Sequence, residues 1–146
     1  MNDLPFAPYA PAADPWIGRV LEARYRIVRR LGVGGMGVVY EGEHTLIRRR
    51  VAIKCLHAAV AHDPAALARF HREALAATAI GNEHITEVTD MGHLPDGVVF
   101  LVLEFLDGRE LSRALEQDGP FPIARAVHVL AQLCEALAAT HARGIV

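Results

Sequence analysis

The chain has little cysteine, no excess of charge of one sign and no long apolar run. Its two cysteines, Cys55 and Cys134, stand far apart without paired spacing. That argues against a disulfide framework or a cysteine zinc site and suits a reducing compartment, with the cytoplasm as the expected location. Basic and acidic residues number 15 and 17, a formal net charge of -2, so the totals show no basic field for nucleic acid or an anionic membrane. No apolar run approaches a membrane span, and Met1 to Tyr9 carries Asp3 and two prolines in place of a basic start and an apolar stretch. Neither a signal peptide nor an anchor is therefore expected. The nearest approaches to metal-ligand spacing, His57 with His62 and His62 with His71, lack a supporting cysteine or carboxylate pattern, so no metal site is expected. What the chain does have is apolar material, 52% of its 146 residues, enough for one ordinary domain with a core.

Residues 1 to about 16 are rich in proline and alanine (Pro5, Pro8, Pro11, Pro15) and read as an extended tail. Imperfect alternation from Tyr25 to Leu31 and the β-prone Val38-Val39-Tyr40 predict a hairpin over Tyr25 to His44, with its turn at Gly32 to Gly37. Val51-Ala52-Ile53-Lys54-Cys55 is a third strand. Asp63-Pro64 is a helix start, cap followed by first-turn proline, and Leu67, Phe70, Ala74 and Ala77 mark one face before Gly81 ends the helix. Ile85 to Gly92 and Val98 to Leu103, joined by Pro95-Asp96-Gly97, predict a second hairpin and bring the strand count to five. A short helix is expected over Glu110 to Gln117. A long one is expected over Pro122 to Arg143, with Val127, Leu130, Ala131, Cys134, Leu137 and Ala138 as its apolar stripe.

Gly32-Val33-Gly34-Gly35-Met36-Gly37 has the spacing G-x-G-x-x-G. Without side chains, backbone N–H groups can close on phosphate oxygens, although the spacing alone also fits a turn that binds nothing. A dinucleotide fold would need a helix after the last glycine, and Val38-Val39-Tyr40 is strand material instead. A Walker loop would need Gly-Lys-Ser/Thr, which is absent. The remaining reading is a β-hairpin flap over phosphates. Lys54, about twenty residues downstream at the end of a strand, can neutralise those phosphates as a point charge.

Gly32-x-Gly34-x-x-Gly37-x-Val39 with Val51-Ala52-Ile53-Lys54 resembles the first two signatures of the protein kinase family, specifically bacterial serine/threonine kinases of eukaryotic type. The resemblance covers residues 17 to 146. It implies an α+β fold: a kinase N-lobe and hinge over residues 17–106, with a five-stranded antiparallel sheet and one helix, then the first helices of a mainly helical C-lobe over 107–146. It implies ATP as ligand, bound by Leu31, Gly32, Gly34, Gly35, Gly37, Val39, Ala52, Lys54, Leu103, Glu104, Leu106 and Glu110. Within that set Leu103 is the gatekeeper, the backbones of Glu104 and Leu106 meet adenine, Val39 and Ala52 cover it, and Glu110 reaches the ribose. Glu73, in Arg69-Phe70-His71-Arg72-Glu73, is expected to pair with Lys54: three positions after Phe70 it borders the apolar face, which favours this over the alternative of an exposed helix glutamate pairing with Arg69 at i, i+4. Asn82-Glu83-His84-Ile85 stands where the family has His-Pro-Asn-Ile.

By the same resemblance, Leu137 to Val146 leads towards a catalytic loop. The catalytic aspartate, the magnesium-binding asparagine, Asp-Phe-Gly and the activation segment are not in these residues, so Mg2+ and a protein substrate are expected only for a complete domain. The chain by itself is expected to be inactive, and a short pseudokinase-like module that binds nucleotide or a partner is the alternative. Its last helix should leave an apolar stripe uncovered, which predicts instability or self-association.

Overall fold

A computed structural model describes residues 14–57 and 63–145; the side chains at positions 73, 76, 77 and 79 fall outside the description. The tail expected over 1–16 thus lies outside the described residues as far as position 13. Asp14 and Pro15 are folded: Asp14 accepts the Trp16 N–H at 3.0 Å and lies 3.7 Å from Arg30.

The elements are β1 (Val20–Leu21), β2 (Tyr25–Val33), β3 (Gly37–His44), β4 (Arg50–Leu56), α1 (Pro64–Ile80), β5 (Val88–His93), β6 (Val99–Glu104), α2 (Leu111–Asp118) and α3 (Ile123–His141). The strands form one antiparallel sheet in the order β1-β2-β3-β4-β6-β5. The five expected strands are present, and β1 adds a sixth whose two residues are too few to show a period. β5 starts three residues later than Ile85, because Asn82 takes the His84 N–H on its side chain (2.8 Å) and the Ile85 N–H on its carbonyl (3.0 Å), which folds that stretch into a turn. The ends of α1 follow from local chemistry: Asp63 Oδ1 accepts the Ala65 N–H at 3.0 Å, Pro64 opens the helix, and Gly81 closes it at φ 59°.

Alternation along the strands sorts the core into two faces. On one, Tyr25, Ile27, Tyr40, Val51, Ile53, Cys55, Phe100 and Val102 pack with Leu21 and Leu94. Burial there pushes the Cys55 thiol up to about 12. On the other face, Leu56, Val99 and Leu101 pack against Phe70 and Ala74 of α1. That helix covers only part of its face, and the uncovered part is where the candidate site lies.

The sheet is rolled so that its two ends meet. Arg19 bonds Asp96 at 2.6 Å, Arg24 and the Tyr25 hydroxyl bond Asp90 at 2.5 and 2.7 Å, and the His93 N–H donates to Glu22 at 3.0 Å. To present these groups, Glu22 and Ala23 hold φ of 44° and 56°, at a cost of about 1–3 kcal/mol each. Burial opposes ionisation of Asp90, but the Tyr25 hydroxyl, the Met91 N–H and Arg24 outweigh it and hold the carboxyl below its ordinary range. Tyr25, desolvated and donating to Asp90, is pushed up to about 12. A depressed carboxyl contributes stability that is present above its ordinary range and lost as pH falls through the folded value. A raised phenol contributes stability that is present below about 10 and lost as pH rises towards about 12. Melting temperature is therefore expected to fall at both extremes, and Asp90→Asn to flatten the acid limb; an acid limb identical to wild type in that variant would mean that Asp90 does not hold the roll shut.

No described residue of α3 is buried: Ile123 is 84% exposed, Leu130 58% and Leu137 54%. The helix approaches α1 and is tied to the loop after it by His84, whose Nε2 lies 3.0 Å from Glu135 Oε2. By length and composition alone its 19 residues are long and apolar enough to cross a membrane. Arg125, His128, Gln132 and Glu135 interrupt that composition, and the apolar residues recur at helical spacing, the pattern of a helix that buries one face in protein. Light scattering on residues 1 to 146 is expected to give a mass above that of the monomer, and Leu130→Glu to lower it. A monomer with no response to that change would rule out association through this face.

Candidate functional site

Directly opposed residues in an antiparallel sheet share a face, so the pairings define two rows across the uncovered region. One runs Gly32, Val39, Lys54, Leu101 and the next Arg29, Glu41, Ala52, Leu103, each through β2, β3, β4 and β6. The roof residues expected from the sequence, Val39 and Ala52, are thus diagonal neighbours between the glycine turn and Leu103, and all three are half-buried. Leu31 falls in a bulge of β2 between Arg30 and Gly32 and is 41% exposed.

The turn is closed by a reciprocal pair, Gly34 N–H to Gly37 O at 2.8 Å and Gly37 N–H to Gly34 O at 3.3 Å, with Gly35 and Met36 at the tip. Its glycines divide into two kinds. A Cβ on Gly37 would lie 2.0 Å from the Cys55 carbonyl oxygen and 2.9 Å from its carbon, so only glycine lets β3 and β4 approach this closely. At Gly32 and Gly35 an added Cβ meets nothing within 4 Å, and at Gly34 only the Gly37 oxygen at 3.9 Å. None of these three holds a left-handed φ. Neither conformation nor packing within the described residues requires glycine there, which leaves open backbone beside the row of Val39 and Lys54.

Lys54 sits at the centre of the first row with its Nζ 5.6 Å from the centroid of the Phe70 ring on α1. Glu73 is one turn further along α1; its side chain lies outside the described residues. Leu103 faces Ala52 on one side and Val88 on the other, and β6 ends at Glu104. The Glu104 N–H donates to the Glu87 carbonyl at 3.0 Å, and Glu104 Oε1 accepts the Glu87 N–H at 2.9 Å. Leu106 is 62% exposed in the connection that follows, and Glu110, also exposed, is the N-cap residue of α2.

Three features of the site have no signature in the sequence. Glu41, 8% exposed on the site face, is gripped by Arg50 Nε at 2.9 Å and by Arg29 at 2.6 Å, the latter an ion pair without hydrogen-bond alignment. Arg50 continues to Asp107 and to the Phe105 ring, and hydrogen bonds to Glu41 and Asp107 hold it above the ordinary guanidinium value. His57 pins the glycine turn, its N–H donating to the Met36 carbonyl at 3.1 Å and its Nε2 lying 3.2 Å from the Gly34 oxygen. The arginines and the glutamate are visible in sequence, but their pairing and the burial of Glu41 depend on strand register. Among the described residues, no group of three or more histidine, cysteine or acidic side chains could hold a metal.

A family model described as protein kinase domain matches residues 25–146. The serine/threonine-protein kinase Pkn1 of Myxococcus xanthus is 48% identical over 140 residues, covering 96% of this chain and 20% of its own length. The probable serine/threonine-protein kinase PknB of Lactococcus lactis is 35% identical over 131 residues, covering 89% and 21%. Among solved structures, the kinase domain of Mycobacterium tuberculosis PknI aligns with a TM-score of 0.71 at 30% identity, covering 87% of this chain and 52% of that one. The chain therefore spans about a fifth of the length of these curated relatives and about half of the solved kinase domain.

Proposed function

Because the chain belongs to the protein kinase domain family, we propose that the cleft between its glycine turn, Lys54 and the Glu104–Leu106 connection binds ATP, within a protein that transfers phosphate to serine or threonine of another protein. The observation that carries this reading is the open backbone at Gly32, Gly34 and Gly35, which neither φ nor neighbouring atoms of the described residues explain. The turn's own bonds use the N–H groups of Gly34 and Gly37; among the described residues those of Gly35 and Met36 donate no backbone bond and are available to phosphate oxygens. Lys54, beneath the turn, supplies positive charge to the same phosphates, with Glu73 as its partner on α1. Val39, Ala52 and Leu31 cover the base, with Leu103 at the back. Since the Glu104 N–H is already engaged, its carbonyl is the group left to accept from the adenine amine, and Leu106 supplies the next backbone contact. Glu110 lies towards the ribose.

Phosphoryl transfer itself requires a base and metal ligands. Magnesium, implied for a complete domain, meets no suitable cluster among the described residues. Two free cysteines support a reducing, cytoplasmic setting.

Lys54 is the sole lysine in the sequence, which makes the test unambiguous. An ATP analogue carrying an acyl phosphate is expected to acylate Lys54, with unmodified ATP suppressing the reaction. Labelling that ATP does not suppress, or none at Lys54, would discard the nucleotide reading. In calorimetry Lys54→Met is expected to weaken ATP binding by about 10- to 100-fold, the loss of a charge-assisted contact.

A further inference from the structure

We propose that Arg50 is a positioning residue for the nucleotide cleft: it braces the segment Phe105 to Asp107 against the sheet and so sets where the Leu106 backbone can meet a bound base. The inference rests on the nucleotide reading above and deepens it. β6 stops at Glu104 and α2 begins at Leu111, so the residues between have no strand or helix to hold them. One guanidinium supplies that support from three directions. Its Nε donates to Glu41 Oε1 at 2.9 Å, its Nη1 donates to Asp107 Oδ1 at 2.9 Å and Oδ2 at 3.2 Å, and its Cζ stands 3.9 Å from the centroid of the Phe105 ring.

Glu41 is what makes this a brace. An arginine bonded only to Asp107, whose side chain is 80% exposed, would hold little, because exposed pairs contribute weakly and are screened by salt. Glu41 is buried in the middle strand and held from its other side by Arg29, so Arg50 is anchored before it reaches outward. Phe105 and Asp107 flank Leu106, and gripping both leaves the intervening peptide few orientations. A planar fork with a free face suits this task; a lysine ammonium could bond a carboxylate but could not span both acids while lying over the ring.

The test compares wild type with Arg50→Lys and Arg50→Ala in the full chain, using ATP and inorganic tripolyphosphate as probes. Both variants are expected to bind ATP about fivefold more weakly while binding tripolyphosphate unchanged, since only the base depends on the braced segment. Amide hydrogen exchange over residues 105–107 is expected to quicken by a similar factor, with α1 unaffected. Equal weakening for both probes, or full rescue by Arg50→Lys, would overturn the proposal. If wild type binds no ATP, the nucleotide reading fails on its own account. The exchange readout then still decides for Arg50, because unaltered exchange at 105–107 in both variants means that it braces nothing.

Discussion

Replacing Phe100 with alanine is expected to lower folding stability by about 3–5 kcal/mol, a large share of the roughly 5–15 kcal/mol available to a domain. The ring is fully buried at the centre of the first core face and meets Tyr25 edge-on at 6.5 Å. It also supports the roll of the sheet: a Cβ placed on Gly92 would lie 2.3 Å from the Phe100 ring and 2.4 Å from Glu22 Oε1, so ring, β5 backbone and closing carboxylate are layered without spare room. Removing the ring leaves a cavity whose walls are strands already fixed by their ladders, and such walls relax poorly. In urea unfolding the midpoint should drop while the slope stays constant. A loss below about 1 kcal/mol would mean that the core collapses into the space and that the roll is not held from within.

Gly35→Ala and Gly37→Ala are expected to separate binding from folding. At position 37 the new carbon would strike the β4 backbone, which cannot rotate aside as a side chain could, so the cost should reach or exceed the roughly 1–3 kcal/mol of an overpacked site. At position 35 there is open space among the described residues and no left-handed φ. Alanine there should leave the melting temperature unchanged or raise it slightly through the unfolded chain, by about 0.4–1 kcal/mol. ATP binding in Gly35→Ala should nevertheless weaken by about tenfold, because the methyl group occupies the approach to the turn. Thermal melts and calorimetry on the pair decide the matter. If Gly35→Ala binds ATP normally, the open backbone does not serve phosphate.

What could be read in advance was what local chemistry dictates. Asp63, Pro64 and Gly81 delimit α1 by capping and φ preference alone, and Pro95-Asp96-Gly97 turns as those residues must. The kinase resemblance likewise came from contiguous motifs. Features hidden in sequence all depend on register or on distant partners. The contact of Arg50 with Asp107 spans 57 positions, and no pattern within either segment announces it. β1 has no period to detect and exists because its hairpin is held at the far end of the sheet. The four glycines looked equivalent as a motif, yet Gly37 has a packing reason that only the facing strand reveals.

The roll of the sheet also bears on the order in which the molecule can take shape. Its closing contacts join residues 65 to 77 positions apart, and the outermost waits on Asp96. During synthesis from the N-terminus, β1 to β4 can pair while the groups that shut the roll are still unmade. Until they emerge from the ribosome, the face carrying Ile27, Tyr40 and Ile53 has no lid, and the nascent chain passes through an interval of exposed apolar surface whose length is set by translation speed.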